Sequence, residues 1–193
     1  MKKLFIISNE SIFNYEGSFF CDNIDLKSTP EGLNSKFEVS LVGRKSKKIR
    51  SHKINLKNIK IYNNILSYLL AVFRSLKEIN SKYLIISISP FTFMACILIK
   101  LFKKKPIIYL RSDGYGEYKS IFGYLGPIIY HAMFSILSKI SSLVSCREYI
   151  LNNKTGDIVA PSQITTRWLE DCKEAQTHNI CLLYTSPSPR DGL

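Results

Sequence analysis

Arg111, Asp113, Glu117 and Lys119 follow directly on the apolar run Ile107-Ile108-Tyr109-Leu110, in a stretch that also holds Gly114 and Gly116. Apolar residues that stop abruptly at charged ones mark a buried parallel strand running into a polar, glycine-bearing loop. In open α/β sheets the crevice outside the carboxyl ends of the strands is where ligands bind. An arginine placed there can grip a phosphate through two parallel N–H bonds, or pair with a carboxylate such as Asp113. Asn9 and Glu10 follow the first apolar run in the same way, and Ser89 follows the strand Tyr83 to Ile88. All of them converge on one crevice if the sheet has doubly wound order. Taken singly, each reads as a solvated loop residue; the cluster is what points to a site. No metal-ligand spacing accompanies the set. Five cysteines stand at 21, 96, 146, 172 and 181, with no C-x-x-C pair and no histidine at ligand spacing. Neither a metal nor a cofactor is therefore expected. Cys96 and Cys146 read as small buried hydrophobes. His131, inside an apolar helical pattern, reads as structural.

The elements that must position these groups alternate. Leu4 to Ser8 predicts a central strand, Asn9 to Gly17 a loop, and Phe20 to Leu33 a helix ended by Pro30-Glu31-Gly32. Strands are expected at Phe37 to Val42 and Ile59 to Tyr62, around a basic loop from Gly43 to Arg50. Apolar residues at helical spacing predict a helix from Ile65 to Ile79. Tyr83 to Ile88 is the clearest strand, and Pro90 opens a helix to about Phe102, because proline suits a first helical turn. The strand Ile107 to Leu110, a helix from Gly126-Pro127 to about Ile140, and strands at Ser142 to Cys146 and Asp157 to Ala160 complete the pattern. Strands alternating with helices predict an α/β protein with a doubly wound parallel sheet.

Composition narrows the function. With 193 residues, 46% hydrophobic and 12% aromatic, the chain can build a real core. A net charge of +12 favours an anionic partner: a phosphorylated substrate, an anionic membrane surface or nucleic acid. The cations come in short runs with no recognised nucleic-acid motif, so nucleic acid is not expected. A dinucleotide site is disfavoured too, because the first turn reads Asn9-Glu10-Ser11-Ile12 where G-x-G-x-x-G is needed. Tyr83 to Phe102 approaches a membrane span in length, but Pro90 and Lys100 fit strand, loop and helix better. Tyr124 to Met133, rich in aliphatic and aromatic residues, either packs on the sheet or lies on an anionic leaflet. The opening residues form a first strand, not a signal peptide.

The tail Cys181-Leu182-Leu183-Tyr184-Thr185-Ser186-Pro187-Ser188-Pro189-Arg190-Asp191 matches a translated sequencing adapter. Residues 181–193 are therefore expected to be non-native and disordered, and the chain to be a fragment.

Several stretches resemble the N-terminal domain of GT-B glycosyltransferases of the family 4 type, which build bacterial surface polysaccharides. They are Lys3-Leu4-Phe5-Ile6-Ile7-Ser8, Phe37 to Arg44, Pro106-Ile107-Ile108-Tyr109-Leu110-Arg111-Ser112-Asp113, and Ser142 to Ile150. Ile158 to Gln163 stands where that family has its hinge, with Ser162-Gln163 replacing the family's Asn-Gly. The resemblance implies that 1–168 form a Rossmann-like, acceptor-side domain and that 169–180 begin the connection to a second domain. That second domain would hold the nucleotide-sugar donor through a basic residue and two spaced glutamates, which do not occur here. It further implies a glycan or lipid-linked acceptor and a cytoplasmic enzyme, peripheral at the inner face of the cell membrane. Arg111 and Asp113 become the expected catalytic pair; Asn9, Glu10, Ser89, Glu117 and Lys119 become substrate-binding candidates. The fragment alone is expected to transfer no sugar. The alternative is a free-standing Rossmann-like binding or membrane-associated scaffold domain.

Overall fold

In the computed structural model, which describes residues 2–78 and 80–159, the apolar runs become strands of one mostly parallel sheet. β1 (Lys2–Tyr15) pairs in parallel with β3 (Phe37–Lys45) on one side and with β6 (Ser81–Ile86) on the other. β5 (Asn58–Tyr62) extends the sheet beyond β3. β7 (Pro106–Leu110), β8 (Ser142–Ser145) and β9 (Asp157–Ile158) extend it beyond β6. The parallel order is thus β5-β3-β1-β6-β7-β8-β9. The chain winds outward from β1 to β5, then restarts at β6 and winds the other way. The reversal between β1 and β6 is a topological switch point, where two crossovers part and leave a crevice.

Side chains alternate across β1, and so the sheet has two apolar faces. Phe5 and Ile7 face α2 (Ile65–Ser75), α3 (Pro90–Leu101), α4 (Gly114–Phe122) and α5 (Leu125–Ile140). Leu4 and Ile6 face α1 (Ile24–Leu33) on the opposite side. The first cluster includes the fully buried Tyr68, Tyr83, Ile85, Ile108 and Phe134. This is the expected doubly wound, Rossmann-like α/β fold.

Three expectations are corrected. Asn9 to Gly17 is not a loop: β1 runs on to Tyr15 and turns at Glu16-Gly17 into β2 (Ser18–Cys21). Both turn residues have positive φ, 48° and 79°, the geometry of a two-residue hairpin turn. β2 pairs with β4 (His52–Ile54), so the end of β1, β2 and β4 form an antiparallel ribbon, while the expected basic loop begins only after β3 ends at Lys45. Second, α1 begins at Ile24, where Asn23 caps it by accepting the Asp25 N–H at 3.0 Å. Pro30 does not end α1: the helix runs on to Leu33, and the Pro30 carbonyl still receives Asn34 N at 3.0 Å. Third, the polar stretch after β7 becomes helical at Gly114, with Asp113 as its cap. The helix expected to reach Ile79 stops at Ser75, and the last strand stops at Ile158; the rest of the hinge from 160 on, the connection at 169–180 and the tail at 181–193 lie outside the described residues.

Candidate functional site

A cleft of about 390 Å³ opens at the switch point. Ser8, Asn9 and Glu10 come to it from β1, Ser87 and Ser89 from beyond β6, and Arg111 from the end of β7. Arg44 enters from β3, and α4 supplies Glu117, Tyr118 and Phe122 as one wall.

Local chemistry fixes the floor. The buried Tyr68 hydroxyl donates to Ser8 O at 3.2 Å, and Ser8 Oγ accepts Glu10 N at 3.1 Å, so the chain leaves the parallel sheet in a set direction. Desolvation pushes the Tyr68 phenol well above its ordinary value, keeping it a neutral donor. Ser89 caps α3 in a reciprocal box: it accepts Thr92 N at 3.3 Å, while Thr92 Oγ1 accepts Ser89 N at 2.8 Å. Thr92 Oγ1 also reaches Ser87 O at 2.9 Å, an interaction that holds Ser87 in a left-handed conformation with φ 62°. Left-handed serine is strained, and such strain concentrates at functional sites. Ser87→Gly relieves it at the cost of a more flexible unfolded chain, so a net gain of about 0.5 kcal/mol is expected in urea unfolding. A loss of stability would show that Ser87 is held by more than its backbone.

Arg111 is the centre of the charge network. Its side chain is only 12% exposed, and it reaches to Glu10 in the middle of β1 and to the start of α1. Nη1 donates to Asn23 Oδ1 at 2.7 Å and lies 3.6 Å from Asp25 Oδ2; Nη2 donates to Glu10 Oε1 at 3.2 Å. Asn23 Nδ2 closes the loop by donating to the same Glu10 oxygen at 3.1 Å. The half-buried Cys146 adds an S–H contact to Arg111 O at 3.0 Å. Arg44 stands apart, its guanidinium 5.7 Å from the Phe91 ring centre and 3.4 Å from Ser11 Oγ.

Of the residues singled out in the sequence, Asn9, Glu10, Ser89, Arg111 and Glu117 meet in the cleft. Asp113 and Lys119 do not line it. Asp113 is exposed and caps α4 through Tyr115 N at 3.0 Å. Arg111 therefore pairs with Glu10 and Asp25, not with Asp113. His131 is exposed on α5, and its Nδ1 hydrogen-bonds the Tyr115 hydroxyl at 2.8 Å, away from the cleft. Asn23 and Asp25, which position Arg111, were missed. They lie far from it along the chain and carry no motif; only the Asn-x-Asp cap of α1 marked them.

Two buried polar atoms of the lining, Asn9 Oδ1 and Arg111 Nε, have no hydrogen-bond partner among the described residues. An acceptor and a charged donor left open in one cleft are costly unless a ligand or water meets them. Together with Arg44 and the glutamates, they suit a ligand bearing both hydroxyls and anionic oxygens. Among the described residues no cluster of side chains could hold a metal ion, and no helix is long and apolar enough to cross a membrane. No protein-family model, curated protein or solved structure matches the chain.

Proposed function

We propose that this chain is the acceptor-side domain of a two-domain, GT-B type glycosyltransferase, and that the switch-point cleft receives a glycan or lipid-linked acceptor. The observation that carries this reading is the convergence of Glu10, Arg111 and Arg44 on a cleft with two open polar atoms, Asn9 Oδ1 and Arg111 Nε. In glycosyl transfer an acceptor hydroxyl attacks the anomeric carbon as the nucleoside diphosphate leaves, through an oxocarbenium-like state. The acceptor domain must hold that hydroxyl and any phosphate near it in one orientation. Glu10 suits the hydroxyl, since Arg111 and Asn23 fix its Oε1 while Oε2 has no partner among the described residues. Arg111 Nε and the Arg44 guanidinium suit the phosphate. Asp113, committed to its helix cap, is better read as a positioning residue for α4.

An apolar ridge supports a lipid-linked acceptor at a membrane face. Tyr124 is 92% exposed, and Leu125 and Ile128 beside it are 66% exposed. Ile121 and Phe122 carry the ridge into the cleft wall. Clustered exposed apolar residues of this kind mark interaction surfaces. A cytoplasmic enzyme, peripheral at the inner membrane face, follows from this reading.

Calorimetric titration separates it from the alternatives. A short-chain prenyl-diphosphate-linked sugar is expected to bind the purified chain, and Glu10→Gln to weaken binding about tenfold. A nucleotide-sugar is expected to bind far more weakly. Tight nucleotide-sugar binding with a silent acceptor would instead make this a donor or free-standing nucleotide domain.

A further inference from the structure

The antiparallel ribbon beyond the cleft has one covered face and one bare face. Ile12, Phe19, Cys21 and Ile54 pack into the core under α1. On the other face Phe13 stands directly opposite Phe20, and Phe20 opposite Lys53. Phe13 and Tyr15 are two residues apart on β1 and share that face. Their rings lie nearly parallel, 6.5 Å between centres and 13° between planes. With Ile49 and the Arg50 side chain they form an apolar hollow of about 260 Å³. Tyr15 is 58% exposed and Ile49 83%.

Cations surround this platform. Lys47, Lys48 and Lys53 are exposed, and none is paired with a carboxylate among the described residues. Arg50 is engaged by Asp22, whose carboxyl it holds below the ordinary range. The platform is also continuous with the cleft. Ser11 lines the cleft and alternates onto the same face as Phe13, about 7 Å along the strand. Arg44, opposite Ser11 in the register, begins the basic run that ends at Arg50 on the platform.

We infer that the β1–β2–β4 ribbon is an extended subsite for an anionic oligosaccharide, one end of which occupies the switch-point cleft. This rests on the proposed function and names its acceptor as a chain of sugars bearing carboxylates or phosphates. Phe13 and the exposed Tyr15, their rings nearly parallel, offer aromatic surface to the apolar face of a sugar ring, and unpaired lysines meet its anions. The hollow's continuity with the cleft favours a ligand that enters both.

The test is residue-resolved NMR of the full chain with tetragalacturonate, the neutral tetragalactose, inorganic pyrophosphate, oligo(dT) and phosphatidylglycerol vesicles. Tetragalacturonate is expected to shift Ser8, Glu10 and Ser89 in the cleft together with Phe13, Tyr15 and Phe20 on the ribbon. Tetragalactose should bind at least about tenfold more weakly. Tyr15→Ala, at an exposed position, should weaken tetragalacturonate about fivefold. It should leave the pyrophosphate response of the cleft unchanged. Lys47→Gln with Lys48→Gln should remove most of the salt dependence. Cleft shifts with a silent ribbon, or equal affinity for the neutral chain, would overturn the inference and leave the cleft reading intact. Ribbon shifts stronger with oligo(dT) or vesicles would overturn it in favour of a nucleic-acid or lipid surface. Silence at both places would remove the cleft reading as well.

Discussion

Arg111→Met is expected to lower stability by about 2–3 kcal/mol and to abolish acceptor binding. Removing one partner of a buried ion pair costs about 3–5 kcal/mol when the other charge stays buried. Here the two carboxylates that would lose Arg111 are less enclosed, because the Glu10 side chain is 40% exposed and that of Asp25 25%. Water can therefore screen part of the loss, which sets the estimate below the full range. Methionine keeps the side chain's bulk, so the cavity contribution is small and the measured change reports the network. Asn23 would lose its 2.7 Å donor, and Glu10 would lose the bond that orients Oε1. Arg111→Lys restores the charge without the planar fork and should recover only part of either property. Urea unfolding and calorimetry on the same variants check both effects. A variant as stable as the parent would mean that the cluster's desolvation cost already cancels its attraction.

Gly126→Ala is expected to cost about 3 kcal/mol or more, against the usual preference of helices for alanine. A Cβ at Gly126 would lie 1.9 Å from Tyr118 O and 2.3 Å from Tyr118 C. Both are backbone atoms, so relief requires moving α4 away from α5. The gain from alanine's helix propensity, about 1 kcal/mol, is too small to offset that clash. Because α4 carries Glu117, Tyr118 and Phe122, its displacement also opens the cleft wall. Gly32→Ala on α1 is the control: nothing lies within 4 Å of its Cβ, and a gain of about 0.5 kcal/mol is expected. Thermal and urea unfolding of the two variants should move in opposite directions. Equal behaviour would show that the α4–α5 contact yields easily.

The parallel core was legible because buried parallel strands leave unbroken apolar runs, as in Leu4-Phe5-Ile6-Ile7 and Ile107-Ile108-Tyr109-Leu110. Pro90 marked the start of α3 for an equally local reason. The ribbon was not legible in advance. Asn9 to Ser11 are polar because they floor the cleft, and that polarity hid the strand's continuation to Tyr15. Helix α4 was hidden by Gly114 and Gly116. Gly114 is required by packing: a Cβ there would meet the Tyr130 ring at 2.1 Å, a contact made in three dimensions and invisible in propensity. The same logic explains the site. Position after an apolar run placed Asn9, Glu10, Ser89 and Arg111 at one crevice, although Asn9 and Glu10 lie within β1 and not beyond it. Sequence nearness suggested Asp113 as the partner of Arg111, but Glu10 within β1 and the start of α1 come closer in space.

The most direct measurement is the Nε–H resonance of Arg111, followed by NMR as a short-chain prenyl-diphosphate-linked sugar is added. This atom is buried and without a partner among the described residues. On binding it should gain a charge-assisted hydrogen bond and move downfield in step with the backbone amides of Glu10 and Ser89. If it stays in place at saturating acceptor, or moves only with a nucleotide-sugar, the switch-point cleft is not an acceptor site.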